Sequence, residues 1–156
     1  MDLKQLYQDI ILEHGKSPRN FGRCKKHTHE AKGYNPLCGD KVQIFLNLNK
    51  EKKVENLTFE GSGCAISMAS NSIMTELVKG KSLETAKKIV FDFLDMIKNT
   101  QEIKSEELDE DQKTIIMSLS GVKQYPMRVK CATLAWHTLN SAMSKKKEEV
   151  NTEAID

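Results

Sequence analysis

The chain has 156 residues and a mass of 17.7 kDa, a length that fits one domain with a hydrophobic core. It carries 24 Lys and Arg residues against 22 Asp and Glu residues, and only 6% of its residues are aromatic. A formal net charge of +2 gives no argument for a nucleic-acid partner. No apolar run approaches the roughly 20 residues that span a membrane.

The four cysteines are the first indication of function. The N-terminus lacks the apolar core of a signal peptide, so we expect a cytoplasmic protein whose thiols stay reduced. Cysteines in such a compartment are metal ligands or reactive groups more often than disulfides.

The first helix is predicted near the N-terminus, because apolar residues recur there at steps of three and four. Asp2 is placed to cap this helix, and Gly15 follows its last turn. The periodicity stops between residues 16 and 40, where turn-forming residues dominate. An unpatterned connection of this length is usually functional or clamped by other parts of the fold.

Alternating apolar residues then predict two strands, over residues 42–49 and 57–60. The polar turn at residues 50–52 joins them as an antiparallel hairpin. Two strands alone are marginal in water, so a third strand is needed, and residues 29–36 are the nearest candidate.

Helices follow the strands in the rest of the chain. They are predicted from Cys64 to Gly80, after Ser82, from residue 115 to Gly121, and from about Arg128 to residue 142. Residues 145–156 form a charged tail without a hydrophobic face, which we predict to be disordered. The fold class is therefore α+β, with a small three-stranded antiparallel sheet, helices packed on one side of it, and a single domain over residues 1–144.

Three cysteines fall at the ends of predicted elements. Cys38 precedes the first clear strand, Cys64 follows the second and begins a helix, and Cys131 lies at the start of the last helix. A hairpin brings the start of one strand beside the end of the next, so Cys38, Asp40 and Cys64 are expected to be neighbours. Glycines at positions 39 and 63 allow the chain to bend there.

Three thiolates and one carboxylate are well suited to zinc. A helix N-terminus also lowers the pKa of a thiol, which favours Cys64 as a ligand. Each cysteine taken alone is more simply a small core residue, and Cys131 faces apolar neighbours. The absence of a CxxC pair makes the spacing a weak signal, so the metal hypothesis depends on the three thiols meeting.

A second set of candidate ligands lies in the loop that carries Cys24, His27 and His29. Its spacing is irregular for a zinc finger, and Lys25 and Lys26 would repel a cation. A solvated loop is the simpler interpretation, although Cys24 could also replace Asp40 in an all-thiolate site.

Several motifs resemble those of the IscU/NifU-like proteins of iron–sulfur cluster assembly. The similarity covers roughly residues 1–143. It is carried by His14 with Ser17–Asn20, by Pro36–Asp40, by Phe59–Ser70 and by Arg128–Ala132. The stretch between Cys64 and Cys131 contains an extra segment that resembles one in the SufU branch and ends near Gly121. Lys130 stands where the IscU branch has a histidine.

The resemblance to SufU-type members implies a SufE/NifU-like fold and a zinc ion held by Cys38, Asp40, Cys64 and Cys131. It also implies a sulfur-relay protein whose partner is a pyridoxal-phosphate cysteine desulfurase of the SufS type. The chaperone-recognition motif of IscU is replaced by residues 125–130, which argues against a heat-shock-type chaperone partner.

We therefore predict a zinc-dependent sulfurtransferase that accepts persulfide sulfur. Cys38 is the predicted acceptor, because it lies on a glycine-flanked loop whereas Cys64 and Cys131 are anchored on helices. Arg128 could balance the net negative charge of the ligands or be an ordinary surface arginine.

Two other functions remain open on the same ligands. One is a scaffold that assembles an iron–sulfur cluster, and the other is a structural zinc domain that acts as an adaptor. A cysteine hydrolase is disfavoured because no histidine has a clear place beside Cys64.

Overall fold

A computed structural model describes residues 2–99, 103 and 105–155; residue 156, at the end of the predicted tail, lies outside them. The helices are α1 (Leu3–Lys16), α2 (Ala65–Val78), α3 (Leu83–Asn99), α4 (Glu110–Ser118) and α5 (Val129–Met143), and the strands are β1 (His29–Asn35), β2 (Asp40–Leu48), β3 (Val54–Ser62) and β4 (Val150–Asn151). Short 3₁₀ turns cover residues 119–124, 126–128 and 152–154. Among the helices described, none has the length and apolarity to span a membrane.

The sheet contains the predicted hairpin and the predicted third strand. Strand β2 pairs antiparallel with β3, and β1 pairs antiparallel with β2, so that Asn35 lies opposite Asp40. Buried and more exposed residues alternate along much of β1, β2 and β3, because successive side chains of a strand point to opposite faces of the sheet and one face is buried in the core. This pairing brings the start of β2 beside the end of β3, where Lys41 lies opposite Ser62.

The prediction of a purely antiparallel, three-stranded sheet was wrong, since the sheet has four strands in the order β3-β2-β1-β4 and is mixed. Strand β4 comes from the segment predicted to be a disordered tail, and it pairs parallel with β1 through Gly33–Val150 and Tyr34–Asn151. A strand of two residues has no alternation to detect. It is held by side-chain contacts of the following residue, Thr152, which is 1% exposed.

The core lies between the sheet and the helices. Helix α5 packs against β1 and β2, and α2 packs against β3 and α5. On the other face of the sheet, Phe45 is fully buried because the connection after α1 covers it: the His27 ring meets Phe45 edge-on and the Arg23 guanidinium lies 5.4 Å from the ring centre. The long connection between α1 and β1 is thus packed against the face of the sheet that carries Phe45.

Candidate metal and thiol site

Cys38 lies at the tip of the tight turn that joins β1 to β2. Residues 36–39 form this turn between the paired Asn35 and Asp40. Gly39 adopts φ of +71°, a left-handed conformation that residues with a Cβ adopt at a cost. Cys38 is half-buried and its neighbour Leu37 is 54% exposed, so the turn that carries this thiol lies at the surface.

Asp40 is fully buried at the start of β2. Its Oδ1 accepts the backbone N–H of Cys64 at 2.8 Å, and its Oδ2 accepts Nδ2 of Asn35 at 3.0 Å. A Cβ at Gly63 would lie 2.5 Å from Asp40 Oδ1. Only glycine at position 63 therefore lets the β3–α2 corner close over the carboxylate.

Cys64 is the N-cap of α2, where its sulfur accepts the backbone N–H of Ser67 at 3.4 Å. Cys131 is a fully buried residue in the first turn of α5. The sulfur atoms of Cys131 and Cys38 lie 3.0 Å apart. The start of α5 thus places the Cys131 thiol in contact with Cys38, although the two cysteines are far apart in the sequence.

Three of the four predicted ligands form one group. Single ligand atoms of Cys38, Asp40 and Cys131 lie within 4.8 Å of one another, and this is the only such group among the residues the structure describes. Cys64 is next to the group: its N–H donates to Asp40 and its sulfur interacts with the Cys131 thiol. This sulfur does not, however, lie within 4.8 Å of all three ligand atoms of the group.

The thiols of Cys64 and Cys131 affect each other's ionisation. The pKa of Cys64 is lowered from 9.0 to about 6, chiefly by a hydrogen bond from Cys131, with further hydrogen bonds from the backbone of Ser67 and Ile66. The pKa of Cys131 is raised by that same hydrogen bond to Cys64 and by burial. Without a metal ion, Cys64 carries the negative charge of the pair at neutral pH.

Arg128 lies at the rim of the group. Its Nη1 donates to the sulfur of Cys38 at 3.4 Å, so the structure favours a charge-balancing position over an ordinary surface arginine. Tyr125 is 41% exposed and Met127 is 67% exposed. The segment before α5 therefore places the Arg128 guanidinium beside Cys38. The same segment also carries the exposed side chains of Tyr125 and Met127.

Asn35 is a site residue for which sequence reasoning predicted no role beyond the candidate third strand and the turn that follows it. It is fully buried, and its Nδ2 donates to Asp40 Oδ2 and, at 3.4 Å, to the sulfur of Cys131. Alternation in the predicted third strand places residues 31, 33 and 35 on the same buried face. A buried amide needs polar partners, and this was the signal available in the sequence.

Cys24 does not lie at this site. Its sulfur donates to the carbonyl of Lys26 at 3.0 Å and accepts from Asn56 at 3.3 Å. Asn56 pairs with Asn47, seven positions along β2 from Asp40, which is about 20 Å at the usual rise of a strand. Replacement of Asp40 by Cys24 in the ligand set is therefore geometrically excluded.

The two histidines near Cys24 are engaged in local contacts. His27 Nδ1 hydrogen-bonds the carbonyl of Cys24 at 2.9 Å, and its Nε2 lies 3.3 Å from a carboxylate oxygen of Glu30. His29 Nδ1 hydrogen-bonds the hydroxyl of Thr28 at 2.7 Å. Both histidines thus have local partners. The prediction of a solvated loop does not hold for the whole segment, because Cys24 is buried and His29 begins β1.

The fold and the site together define a small α+β protein that gathers thiols and a carboxylate at one end of its sheet. The sequence matches the family described as NifU-like N terminal domain over residues 6–132. The chain belongs to this family, and the family prediction is confirmed.

Relatives cover nearly the whole chain. It is 39% identical to the zinc-dependent sulfurtransferase SufU of Bacillus subtilis, over 92% of this chain and 93% of that protein. It is 35% identical to the iron–sulfur cluster assembly scaffold protein IscU of Streptococcus pyogenes, over 92% of this chain and 86% of that protein.

Solved structures show the same fold. The crystal structure of the FiSufU protein of Fervidobacterium islandicum AW-1 superposes with a TM-score of 0.77 at 32% identity, covering 89% of this chain and 97% of that one. A NifU-like N-terminal protein of Brucella abortus shares the fold alone, with a TM-score of 0.76 at 19% identity, covering 94% of this chain and 99% of that one.

Proposed function

We propose that this protein is a zinc-dependent sulfurtransferase of iron–sulfur cluster assembly. It accepts persulfide sulfur from a pyridoxal-phosphate cysteine desulfurase of the SufS type and acts as a sulfur relay. The observation that carries the proposal is the asymmetry of the site: Cys38 is half-exposed at a turn, whereas Asp40 and Cys131 beside it are fully buried.

The zinc ligands in this proposal are Cys38, Asp40, Cys64 and Cys131. A tetrahedral site with Zn–S distances near 2.3 Å and Zn–O distances near 2.0 Å requires ligand atoms roughly 3–4 Å apart, and a group whose ligand atoms lie within 4.8 Å of one another is compatible with this spacing. A rotation of the Cys64 side chain away from Ser67 would bring in the fourth ligand. Bound zinc would keep the thiols deprotonated at neutral pH.

Cys38 is the residue that accepts sulfur. Its thiolate attacks the terminal sulfur of the persulfide on the donor cysteine, a new S–S bond forms on Cys38, the old S–S bond breaks, and the donor cysteine leaves as a thiolate. The Arg128 guanidinium beside the Cys38 sulfur stabilises the negative charge on this side chain before and after the transfer.

The surroundings of Cys38 suit a protein as sulfur donor. Leu37, Tyr125 and Met127 are exposed apolar side chains that accompany Cys38 and Arg128 in the sequence. Apolar and aromatic side chains together with an arginine are typical of protein interfaces. This surface supports direct docking of the desulfurase over Cys38.

Assembly of an iron–sulfur cluster on the same residues is the second candidate function. It is favoured by the relatives from Streptococcus pyogenes and Thermotoga maritima, which are both called iron–sulfur cluster assembly scaffold proteins. Thiolates also bind iron–sulfur clusters, so the donor set alone does not separate the two functions.

The test combines metal analysis with a desulfurase assay on one aerobically purified sample. We expect a colourless protein with about one zinc per chain that accelerates alanine release by a SufS-type desulfurase. Cys38→Ser should abolish persulfide acceptance and remain folded, whereas the matched control Cys24→Ser should behave like the wild type.

Three results would contradict the proposal. A brown protein with labile sulfide and no effect on the desulfurase would favour the scaffold. Persulfide acceptance that survives Cys38→Ser would exclude Cys38 as the acceptor. Loss of folding in that variant, without a desulfurase effect of the wild type, would favour a structural zinc domain.

A further inference from the structure

The C-terminal segment makes a buried hydrogen bond to the site. Thr152 follows β4, is 1% exposed, and its hydroxyl donates to Oδ1 of Asn35 at 2.8 Å. Asn35 in turn donates to Asp40 Oδ2 and to the sulfur of Cys131. A continuous chain of hydrogen bonds therefore runs from the C-terminal segment to two of the proposed metal ligands.

The Asp40 carboxylate and the Cys131 thiolate determine which way the Asn35 amide is oriented in this series of hydrogen bonds. A carboxylate and a thiolate accept hydrogen bonds, so the Asn35 amide must turn its NH₂ group toward Asp40 and Cys131. Its carbonyl oxygen then faces Thr152, whose hydroxyl is the donor. The reverse amide orientation would place a carbonyl oxygen against the Asp40 carboxylate, where two buried acceptors repel each other.

The segment that carries Thr152 is attached to both elements that flank the site. We call Val150–Ala154 the C-terminal strap. It pairs with β1 through Val150 and Asn151, and the carboxylate of Glu153 lies 3.4 Å from Nζ of Lys130 in the first turn of α5. The strap is therefore fixed against both the strand that ends at Asn35 and the helix that carries Cys131.

We propose that Thr152 and Asn35 are positioning residues that slow the release of metal from the site. The inference rests on the proposed zinc site and adds to it residues that do not touch the metal. Hydrogen bonds from Asn35 orient the Asp40 carboxylate and the Cys131 thiolate, and Thr152 holds the amide in the only orientation that can donate. Loss of such outer contacts commonly weakens metal binding by about 10- to 100-fold.

The test measures zinc release from the full-length protein into an excess of a chromogenic chelator. Thr152→Val keeps the shape of the side chain but removes the donor, and we expect release about tenfold faster than in the wild type. Thr152→Ser restores the hydroxyl and should restore slow release. Thr138→Val is the matched control, because Thr138 is also fully buried but, within the described part of the chain, its hydroxyl donates to the Leu134 carbonyl of its own helix and not to the site.

Two further measurements separate positioning from general destabilisation. Asn35→Asp keeps an acceptor for Thr152 but removes the donor to Asp40 and Cys131, so release should be faster than in Thr152→Val. The visible absorption bands of the cobalt-substituted protein report ligand geometry, and they should shift in Thr152→Val but not in Thr138→Val. Urea unfolding of each variant gives the stability change for comparison.

The outcomes distinguish this inference from the proposed function. If wild-type protein retains zinc and Thr152→Val releases it no faster than Thr138→Val, the positioning role is overturned and the zinc site stands. Failure of Thr152→Ser to restore slow release overturns it as well. If the wild type binds no zinc, the proposed function fails and this inference fails with it.

Discussion

The two ends of strand β2 each hold a cysteine with polar partners, yet only one end resembles a metal site. At the Asp40 end, thiols from a turn and from α5 meet a buried carboxylate, and Cys64 at the start of α2 lies beside them. At the other end, Cys24 is also buried, but among the described residues its sulfur hydrogen-bonds the Asn56 amide and the backbone carbonyl of Lys26 rather than other thiols or a carboxylate.

The difference lies in how many elements end at the same place. At the Asp40 end, the β1–β2 turn, the β3–α2 corner and the start of α5 converge, so residues distant in sequence share one small volume. At the Cys24 end, one connection runs across the sheet and forms local contacts. Burial of a thiol is therefore a poor indicator of a metal site, and convergence of element ends is a better one.

The largest difference is expected between serine substitutions at the two ends of β2. Cys131→Ser removes a proposed ligand and should weaken zinc binding on the order of a hundredfold or more. Cys24→Ser should leave zinc affinity unchanged. Competition with a chelator of known affinity measures both, and equal losses in the two variants would show that the two ends do not differ in metal binding.

A pH titration of the metal-free protein tests the electrostatic side of the comparison. One thiolate should appear near pH 6, because hydrogen bonding from Cys131 and the α2 backbone lowers the pKa of Cys64 to about 6. Thiolate ultraviolet absorbance would detect it. The step should vanish in Cys64→Ser and persist in Cys24→Ser; a step that persists without Cys64 would assign the charge elsewhere.

The same shift predicts how stability depends on pH. Between about pH 6 and pH 9 the folded state holds Cys64 deprotonated while the unfolded chain keeps it protonated. The free energy of unfolding of the metal-free protein should therefore rise with pH across this window and lose this contribution as the pH falls through 6. Above it, the raised pKa of Cys131 acts in the opposite direction. Urea unfolding of wild type and Cys64→Ser at several pH values measures the difference.

Truncation of Cys24 should lower stability moderately without changing metal binding. Cys24→Ala removes a buried sulfur and leaves the Asn56 amide without that acceptor, so we expect a loss of about 1 kcal/mol in the free energy of unfolding. Urea denaturation measures this loss. A change in zinc content in the same variant would contradict a structural role for Cys24.

The smallest effect concerns the start of the tail that leads to the C-terminal strap. Lys145 adopts φ of 54° where α5 ends, and the N–H groups of Lys145 and Lys146 close the helix on the carbonyls of Ala142 and Ser141. Glycine is favoured at this position. Lys145→Gly should raise the free energy of unfolding by about 0.5–1 kcal/mol with zinc release unchanged, whereas faster release would show that this turn also controls the site.

Sequence reasoning reached most of the fold and predicted that Cys38, Asp40 and Cys131, which the structure brings together, would meet. The alternation of residues 42–49 predicted β2, and hairpin geometry predicted that Asp40 and Cys64 would be neighbours, as their 2.8 Å contact confirms. It missed β4, because two residues carry no periodic signal, and it missed the buried state of Phe45, because its cover comes from a connection without a pattern.

What the sequence alone determined is the chemistry available: three thiols and a carboxylate placed at the ends of elements, with glycines where the chain must turn. Those features are local, so composition and periodicity reveal them. Only the tertiary structure decided which groups meet: that Cys24 lies apart, that Cys131 reaches Cys38, and that Thr152 bonds Asn35. These contacts join residues far apart in the chain, and packing of α5 and the C-terminal strap on the sheet brings them together.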